Sequence, residues 1–471
     1  MSFHVVVPHV TDYRVTKGGT NGYRTIALAC AGVGRTAVHQ LEPDTTTAPS
    51  DSAVSRLSVR SHPDLPTMLA AISAELQAGD VVVKCVGAGR REDHLLDGEV
   101  VSLAVQARAK IAYLDGDAPV RLERMPFKYY LRDLLPSIDL VLLLGGGTQA
   151  EQQYRELGAR DTLTVPVAAT VHALADTTSS LWQSDVPGHG GRDIDLIITV
   201  GKASAREDRL PEWIAAATRA GYRVVFVGGD PPDMSVECLD PRDPVMLHDL
   251  HLRSRFTLNL LRDTARRFGY APPNRVFEAA VAGSVVITEP YPGIELDLLP
   301  GTECHVLDAP EELPALLSAP CSTWTSTSAA GRRRVLASSR QGMAVLRGAL
   351  ARLASAPPPP RHGHRPIHGW LERLDGLPVV AHGPVPAAAI DAAANALPRS
   401  EIRASSDDTS GSVVVMSMAD KEGFDDHLNG RKPEAVLVWF PPGTVILPGV
   451  RWLPGRDWLL TETGITTQVP S

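Results

Sequence analysis

The chain has 471 residues, more than one hydrophobic core accommodates, so two or three domains are expected. Hydrophobic residues make up 44% and charged residues 21%, an ordinary globular composition. The net charge of −8, without a basic stripe, argues against a nucleic-acid partner. No apolar run approaches the roughly 20 residues of a membrane-spanning helix. The N-terminus lacks the features of a signal peptide.

From these exclusions we expect a cytoplasmic protein without a membrane span. Five cysteines, an odd number with no CxxC pair, are predicted to be reduced thiols that are mostly buried.

The first part of the chain alternates predicted strands and helices, which is typical of βαβ units and a parallel sheet. The segment 23–31 is predicted as a helix or a strand, and the Asp/Ser/Thr/Pro-rich segment 41–62 as a loop. Further strands are predicted at 4–8, 80–86, 110–114, 139–144 and 163–166, and helices at 65–77 and 100–109.

A polar stretch at 175–193 is predicted to be an interdomain linker, after which the alternation restarts. Strands are predicted at 195–200, 223–227, 256–260 and 284–288, and helices at 210–220, 274–282, 311–317 and 329–353. Four prolines at 357–360 predict a stiff linker before a third region. We therefore predict an α/β protein with Rossmann-like domains over 1–180 and 190–355 and an additional region of unknown role over 361–471, with strands at 412–418 and 435–440.

The segment 274–295 carries the most specific chemistry. Pro272 and Pro273 precede a predicted helix on which Asn274, Arg275 and Glu278 share one face. Backbone N–H groups at a helix start bind anions. A carboxylate one turn later can accept hydrogen bonds from both hydroxyls of a ribose.

Two further features of the second domain fit the same ligand. After the helix, the turn at Gly293 would let the backbone approach a ligand closely, and Glu295 follows it. Three cations, Lys202, Arg206 and Arg262, follow predicted strands and could surround a diphosphate together with Arg275. Taken singly, each of these residues is ordinary; their ordered combination points to a phosphorylated ligand that bears hydroxyl groups.

In this order the motifs resemble the CgeB-like (spore-maturation-protein-like) glycosyltransferases, GT-B enzymes related to the group 1 glycosyltransferases. The resemblance covers roughly residues 75–320. In the second half it rests on the segments 258–262, 269–280, 283–288 and 292–295, and in the first half on 81–89, 114–119, 139–147, Tyr154 and 158–160.

The resemblance implies two Rossmann-like domains that face each other across a cleft. It implies a nucleotide-sugar donor held by the second domain, with Glu278 on the ribose and Arg275 near the diphosphate, and an acceptor site in the first domain. The wider group carries a second Glu eight positions before the ribose Glu; here Tyr270 stands at that position. Contacts to the sugar ring must therefore come from elsewhere.

The first domain is expected to supply the base that accepts the proton of the acceptor hydroxyl. Asp117 follows a buried strand and is the first candidate; Asp93 and His94 are rivals, and His9 and Asp12 are weaker ones. Asp115 and Gly146 are predicted to lie on the acceptor side.

Two alternatives attach to these first-domain motifs. Asp115-Gly116-Asp117 also spells the DxD motif with which GT-A enzymes hold a divalent cation, and the Asp pair could instead cap the next helix. The 145–147 glycine run lacks the spacing of a phosphate loop and is interpreted as a tight turn. The two-domain layout favours arginines, lysines and a helix N-terminus over a metal, so neither metal nor cofactor is predicted.

The favoured function is transfer of a sugar from a nucleotide-sugar donor to a small molecule or a protein. An Ala/Arg/Pro-rich composition suits a bacterium and a specialised metabolite as acceptor. The alternatives are a GT-B-fold epimerase or phosphorylase, and a non-catalytic protein that binds or assembles with sugar nucleotides. A homodimer remains open.

Overall fold

The protein is described by a computed structural model that covers the following residues: 1–7, 21–41, 57–86, 91–123, 134–172, 191–200, 209–228, 236–239, 244–270, 272–357, 379–382, 402–403, 413–417, 435–439, 457–461 and 464–466. The chain forms two compact units. The first comprises residues 1–87, 99–124 and 138–359, and the second comprises residues 88–98, 125–137 and 360–471.

The first unit contains two parallel sheets, and the first of them has seven strands in the order β3-β2-β1-β4-β5-β6-β7. Its strands are β1 Ser2–Val6, β2 Arg35–Leu41, β3 Leu57–His62, β4 Val81–Cys85, β5 Lys110–Asp115, β6 Leu140–Leu144 and β7 Thr162–Val165. The helices along this part of the chain are Asn21–Val33, Leu65–Glu75, Arg91–Gln106, Ala118–Glu123 and Gly147–Glu156, with a short 3₁₀ turn at Val167–Thr170.

Every residue of the central strands β4, β5 and β6 is buried. Continuous aliphatic runs of this kind are typical of strands that are covered on both faces. One face of the sheet packs on Asn21–Val33 and on the end of a 35-residue helix, Cys321–Ser355, that returns from the second half of the chain.

The second sheet has six parallel strands in the order β10-β9-β8-β11-β12-β13. They are β8 Ile194–Val200, β9 Val224–Gly228, β10 Glu237–Leu239, β11 Ser254–Asn259, β12 Val285–Thr288 and β13 His305–Val306. The helices here are Leu210–Arg219, Pro244–Arg253, Asp263–Phe268, Asn274–Val281, Ile294–Asp297, Leu313–Leu317 and Cys321–Ser355. A 3₁₀ turn, Pro310–Glu312, precedes Leu313–Leu317.

The second unit contains a third sheet, in the order β15-β14-β16-β17-β18-β19. Its strands are β14 Val379–His382, β15 Ile402–Arg403, β16 Val413–Ser417, β17 Ala435–Trp439, β18 Asp457–Thr461 and β19 Gly464–Thr466. All neighbours pair in parallel except β18 and β19, which are antiparallel. The predicted strands at 412–418 and 435–440 correspond to β16 and β17.

The prediction of a loop over 41–62 is wrong at its end, because β3 occupies Leu57–His62. This strand lies at the edge of the sheet, where only one of its six residues is buried. Its sequence therefore lacks the run of apolar residues from which a buried strand is predicted. The preceding strand, Arg35–Leu41, was not predicted, and the ambiguous segment at 23–31 is a helix, Asn21–Val33. Most of the predicted linker at 175–193 lies outside the described residues.

All five cysteines are free thiols; Cys30, Cys85 and Cys304 are buried, and Cys238 and Cys321 are exposed. None of the helices that the structure describes is both long and apolar enough to cross a membrane.

Candidate functional site

The helix predicted to open the ligand site begins at Asn274, directly after Pro273, whose φ of −72° and ψ of 153° are extended. It ends at Val281, and β12 follows from Val285. A helix that leads back into a parallel sheet has its N-terminus at the carboxyl edge of the strands. The positive end of its dipole therefore lies where an anionic ligand is expected.

Arg275 is anchored at this edge. Its guanidinium Nη1 donates a hydrogen bond to the carbonyl oxygen of Thr199, next to the last residue of β8. This hydrogen bond holds the guanidinium, a group with five N–H donors, at the carboxyl end of β8.

Two buried oxygens at the carboxyl ends of β8 and β11 lack hydrogen-bond partners among the described residues: Oγ1 of Thr199 and Oδ1 of Asn259. Asn259 is fully buried, and its amide nitrogen donates to Oγ1 of Thr288 at 3.0 Å. Buried polar atoms are normally paired, so unpaired ones beside a helix N-terminus are consistent with a polar ligand.

Glu278 lies on the buried part of the helix and is 6% exposed. Asn274 lies at the helix start, where its Oδ1 accepts a long hydrogen bond, 3.4 Å, from the Thr170 hydroxyl of the first half of the chain. The structure therefore places Asn274, Arg275 and Glu278 on one short helix, as predicted, and ties its first residue to the segment that leaves the first sheet.

Arg262 and Asp117, predicted from opposite halves of the chain, meet in an ion pair. Nη1 of Arg262 donates to Oδ2 of Asp117 at 3.2 Å. The two side chains are 41% and 49% exposed. Arg262 precedes the helix Asp263–Phe268 after β11, and Asp117 follows β5, so each lies just beyond a strand end.

The protein around Asp117 partly desolvates its carboxyl group and raises the pKa, while the guanidiniums of Arg262 and Arg121 act in the opposite direction. Half of the side chain is open to water, so we expect a small rise. A carboxyl group with a raised pKa can act as a general base. Its pKa depends on the cation beside it, so a charged ligand that binds nearby would change that pKa.

Asp115, two residues earlier, is fully buried and engaged within the fold. Its Oδ1 accepts from Nε of Arg121 at 2.6 Å and from the backbone N–H of Asp117 at 2.9 Å, and its Oδ2 accepts from the hydroxyl of Tyr154. The structural alternative for the Asp pair was a cap on the next helix. The structure shows instead that Asp115 holds the turn before the helix Ala118–Glu123, binds Arg121 on that helix, and presents Asp117. Its predicted acceptor-side role would therefore be indirect.

Tyr270 sits between two glycine turns. Its carbonyl accepts from the N–H of Gly146 at 2.6 Å, and its own N–H donates to the carbonyl of Pro292 at 2.8 Å. A Cβ on Gly147 would lie 2.9 Å from its ring, and a Cβ on Gly293 would lie 2.1 Å from it.

The tyrosine backbone itself has a φ of 54°, in the left-handed region that non-glycine residues rarely adopt. The predicted role of Gly293 was close approach of backbone to a ligand. The structure shows a close approach of that glycine to Tyr270, and the predicted Gly146 turn binds the same residue.

Sequence reasoning missed Arg209 and the role of Glu289. Arg209 pairs with Oε1 of Glu289 and donates to the Leu261 carbonyl at 2.8 Å, and the other Glu289 oxygen accepts from the Leu261 N–H at 2.9 Å. Glu289 is 4% exposed and directly follows β12, and an acid behind an aliphatic run could have signalled it. The pair fixes the backbone just before Arg262.

Several predicted residues are not located by the structure. Lys202, Arg206, His9 and Asp12 lie outside the described residues. Asp93 and His94 belong to the helix Arg91–Gln106, but their side chains are not described. Glu295 lies in the helix Ile294–Asp297 and is exposed. The roles predicted for these residues stay predictions.

Residues 206–341 match a family model described as glycosyl transferase-like. The matched segment contains the second-sheet strands β9 to β13, Arg262, and the helix with Arg275 and Glu278, and it begins after β8. No curated protein sequence matches the chain.

Among solved structures, the chain is similar to sucrose-phosphate synthase from Thermosynechococcus elongatus, with a TM-score of 0.53, 14% identity, and coverage of 75% of this chain and 98% of that one. Weaker similarity links it to HepE of Anabaena in complex with UDP and glucose, with a TM-score of 0.49, 11% identity, and coverage of 75% and 99%. T4 phage BGT in complex with its UDP-glucose substrate also has a TM-score of 0.49, with 11% identity and coverage of 76% and 100%.

The two parallel sheets of the first unit thus form a GT-B fold. With the family match, this confirms the predicted class of enzyme, a glycosyltransferase.

Proposed function

We propose that this protein transfers a sugar from a nucleotide-sugar donor to a hydroxyl group of a small molecule, such as a specialised metabolite, or of a protein. Within the glycosyltransferases, the motifs at 269–280 and 283–288 favour a CgeB-like enzyme. Donor binding is assigned to the second sheet and acceptor activation to the end of β5 in the first.

The donor part of the proposal rests on the helix Asn274–Val281. Its N-terminus and Arg275 would bind the diphosphate, because both present N–H donors at the carboxyl edge of the sheet. The carboxylate of Glu278, on the same helix, would accept hydrogen bonds from the ribose hydroxyls. The unpaired oxygens of Thr199 and Asn259 would receive further donors from the ligand.

In the transfer step, the Asp117 carboxylate accepts the proton of the acceptor hydroxyl. The acceptor oxygen forms a bond to the anomeric carbon, while the bond from that carbon to the diphosphate oxygen breaks and the electron pair leaves with the diphosphate. Arg275, Arg262 and the helix dipole would stabilise the charge that develops on the leaving group. No metal is required in this scheme.

The ion pair between Arg262 and Asp117 suggests how donor binding prepares the base. A pair this exposed contributes only about 0–1 kcal/mol, so a diphosphate can displace Asp117 from the guanidinium. Once Arg262 turns to the diphosphate, Asp117 loses a cationic partner, its pKa rises further, and its oxygen becomes accessible to an acceptor hydroxyl. The observation that carries the proposal is this pairing of the predicted donor cation with the predicted base.

The test is release of nucleoside diphosphate from a panel of nucleotide sugars in the presence of mixed hydroxyl-bearing acceptors. Asp117→Asn should lower the turnover by about 10²–10⁴-fold, the usual contribution of a general base. It should not weaken donor binding measured by calorimetry, since loss of the ion pair leaves Arg262 available to the diphosphate. The matched control is Asp263→Asn, since Asp263 is 50% exposed and also pairs with an arginine.

Full turnover by Asp117→Asn would refute its role as the base. Donor cleavage that needs no acceptor would favour an epimerase-like or other reaction. Tight donor binding by a chain that never turns over any donor would favour the non-catalytic alternative.

A further inference from the structure

Three histidines form a ladder across the edge of the first sheet. His4 lies on β1, His39 on β2 and His62 at the end of β3. In the strand register, His4 lies opposite Ala37 and His39 lies opposite Arg60. His39 is two residues after Ala37 and His62 is two residues after Arg60, so the three histidines lie on the same face of the sheet. The rings stack with centroids 5.5 Å apart at both steps.

The ladder occupies the face opposite the main core. Phe3 and Val5 flank His4 in sequence and point into the core under the helix Asn21–Val33, so His4 points to the other side of the sheet. His4, His39 and His62 are 3%, 0% and 7% exposed. This polar cluster lies in the first unit and plays no part in the proposed glycosyl transfer. Burying it costs free energy unless its ring nitrogens have partners.

The nitrogens are spaced as ligands of one ion. Nδ1 of His4 and Nε2 of His39 are 3.2 Å apart. Two imidazoles on a tetrahedral Zn²⁺, with bonds of about 2.0–2.1 Å, have their nitrogens about 3.3 Å apart. A carboxylate oxygen of Glu75, the last residue of the helix Leu65–Glu75, completes a set of three ligand atoms that lie within 4.8 Å of one another.

We propose that His4, His39 and Glu75 bind a divalent transition-metal ion, with zinc as the ion that best suits two imidazoles and a carboxylate. Zn²⁺ takes nitrogen and carboxylate ligands in a tetrahedron, and a water molecule would fill the fourth position. The ion would fasten the end of the Leu65–Glu75 helix to β1 and β2.

The far side of each ring supports this assignment. A metal-bound histidine usually donates its other N–H to a neighbouring acceptor, which orients the ring. Nδ1 of His39 lies within hydrogen-bond distance of Nε2 of His62, at 3.3 Å. Nε2 of His4 makes only an ion-pair contact with Oδ2 of Asp80, at 3.7 Å, and a small movement would bring the two within hydrogen-bond distance. Asp80 is itself fixed by the N–H groups of Ser2 at 2.6 Å and Gln77 at 3.1 Å.

The charges near the cluster are compatible with a cation. Glu75 forms an ion pair with Arg60, and Asp80 adds a second carboxylate beside His4. A divalent ion would therefore meet two carboxylates, one paired with Arg60 and the other 4.0 Å from the N-terminal ammonium of Met1. Glu75 and Arg60 are 37% and 38% exposed, so both side chains can rearrange.

The experiment uses the full chain without an affinity tag, stripped with a chelator and titrated with Zn²⁺ by calorimetry and with Co²⁺ by visible absorption. We expect one ion per chain, tetrahedral Co²⁺ bands, and a higher melting temperature with Zn²⁺. Glu75→Gln should weaken Zn²⁺ binding by about tenfold or more, and His62→Gln by about 10–100-fold through loss of ring orientation.

Arg60→Gln is the matched control, because it breaks the same ion pair as Glu75→Gln and keeps the ligand. It should bind Zn²⁺ at least as tightly as the wild type, and zinc should raise its melting temperature. Equal zinc affinities for Glu75→Gln and Arg60→Gln would overturn the proposal. So would the absence of saturable binding by the folded wild type, which would leave the ladder as a hydrogen-bonded chain of histidines.

Discussion

At the scale of single residues, Arg262 is the side chain whose partner is expected to change during the reaction. It binds Asp117 at 3.2 Å and follows β11 at the edge where the diphosphate is expected. A cation near a carboxylate favours the charged form and lowers its pKa. The pH dependence of the enzyme should therefore reveal the pair.

Replacing Arg262 by alanine should shift the acid limb of the pH profile of kcat/KM to higher pH. The desolvation that raises the pKa of Asp117 stays, and the opposing guanidinium is removed. A base is active when deprotonated, so a higher pKa moves the limb upward. Arg266→Ala, on the helix that Arg262 precedes and 46% exposed, is the control and should leave the limb in place. A limb unchanged in Arg262→Ala would show that Asp117 is not the titrating base.

The sequence was sufficient to single out Arg262, Asp117, Arg275 and Glu278, because each lies beside a strand end or on a helix start that has a strong local pattern. It could not reveal that Arg262 and Asp117 pair, since 145 positions separate them. Nor could it show that Asp115 is saturated by Arg121 and Tyr154, which depends on how the helices pack on the sheet.

At the scale of elements, the turns at 145–147 and 292–293 act together through Tyr270. The tyrosine carbonyl and N–H connect one turn to the other, and its ring fills the space beside Gly147 and Gly293. The sequence indicated two glycine turns, but the contact needs a left-handed tyrosine that no local pattern predicts.

Gly293→Ala should destabilise the protein by more than Gly301→Ala. Both glycines have a positive φ, 86° and 77°, so both variants incur the same class of backbone strain, about 1–3 kcal/mol. Only at Gly293 would the new methyl group meet the Tyr270 ring, whereas nothing lies within 4 Å at Gly301. Urea denaturation should give the larger loss for Gly293→Ala, and adding Tyr270→Ala should reduce it. Equal losses for the two glycine variants would argue against the contact.

At the scale of the whole molecule, strand and helix alternation predicted two parallel sheets, and the structure has both in a GT-B fold. The prediction missed β2 and β3, because an edge strand with polar residues carries little hydrophobic signal. It also assigned no sheet order, since parallel strands pair at long range, and the boundaries 1–180, 190–355 and 361–471 stay predictions.

The central claim, a nucleotide-sugar site on the helix Asn274–Val281, is tested most directly by calorimetry of a nucleotide-sugar panel against the wild type, Glu278→Ala and Glu311→Ala. The wild type and Glu311→Ala, whose exposed acid lies in the 3₁₀ turn Pro310–Glu312, should bind the same donor equally well. Glu278→Ala should weaken that binding by about 10–100-fold, as expected for the loss of a charged hydrogen bond of about 1.5–3 kcal/mol. Unchanged donor affinity in folded Glu278→Ala would contradict the claim.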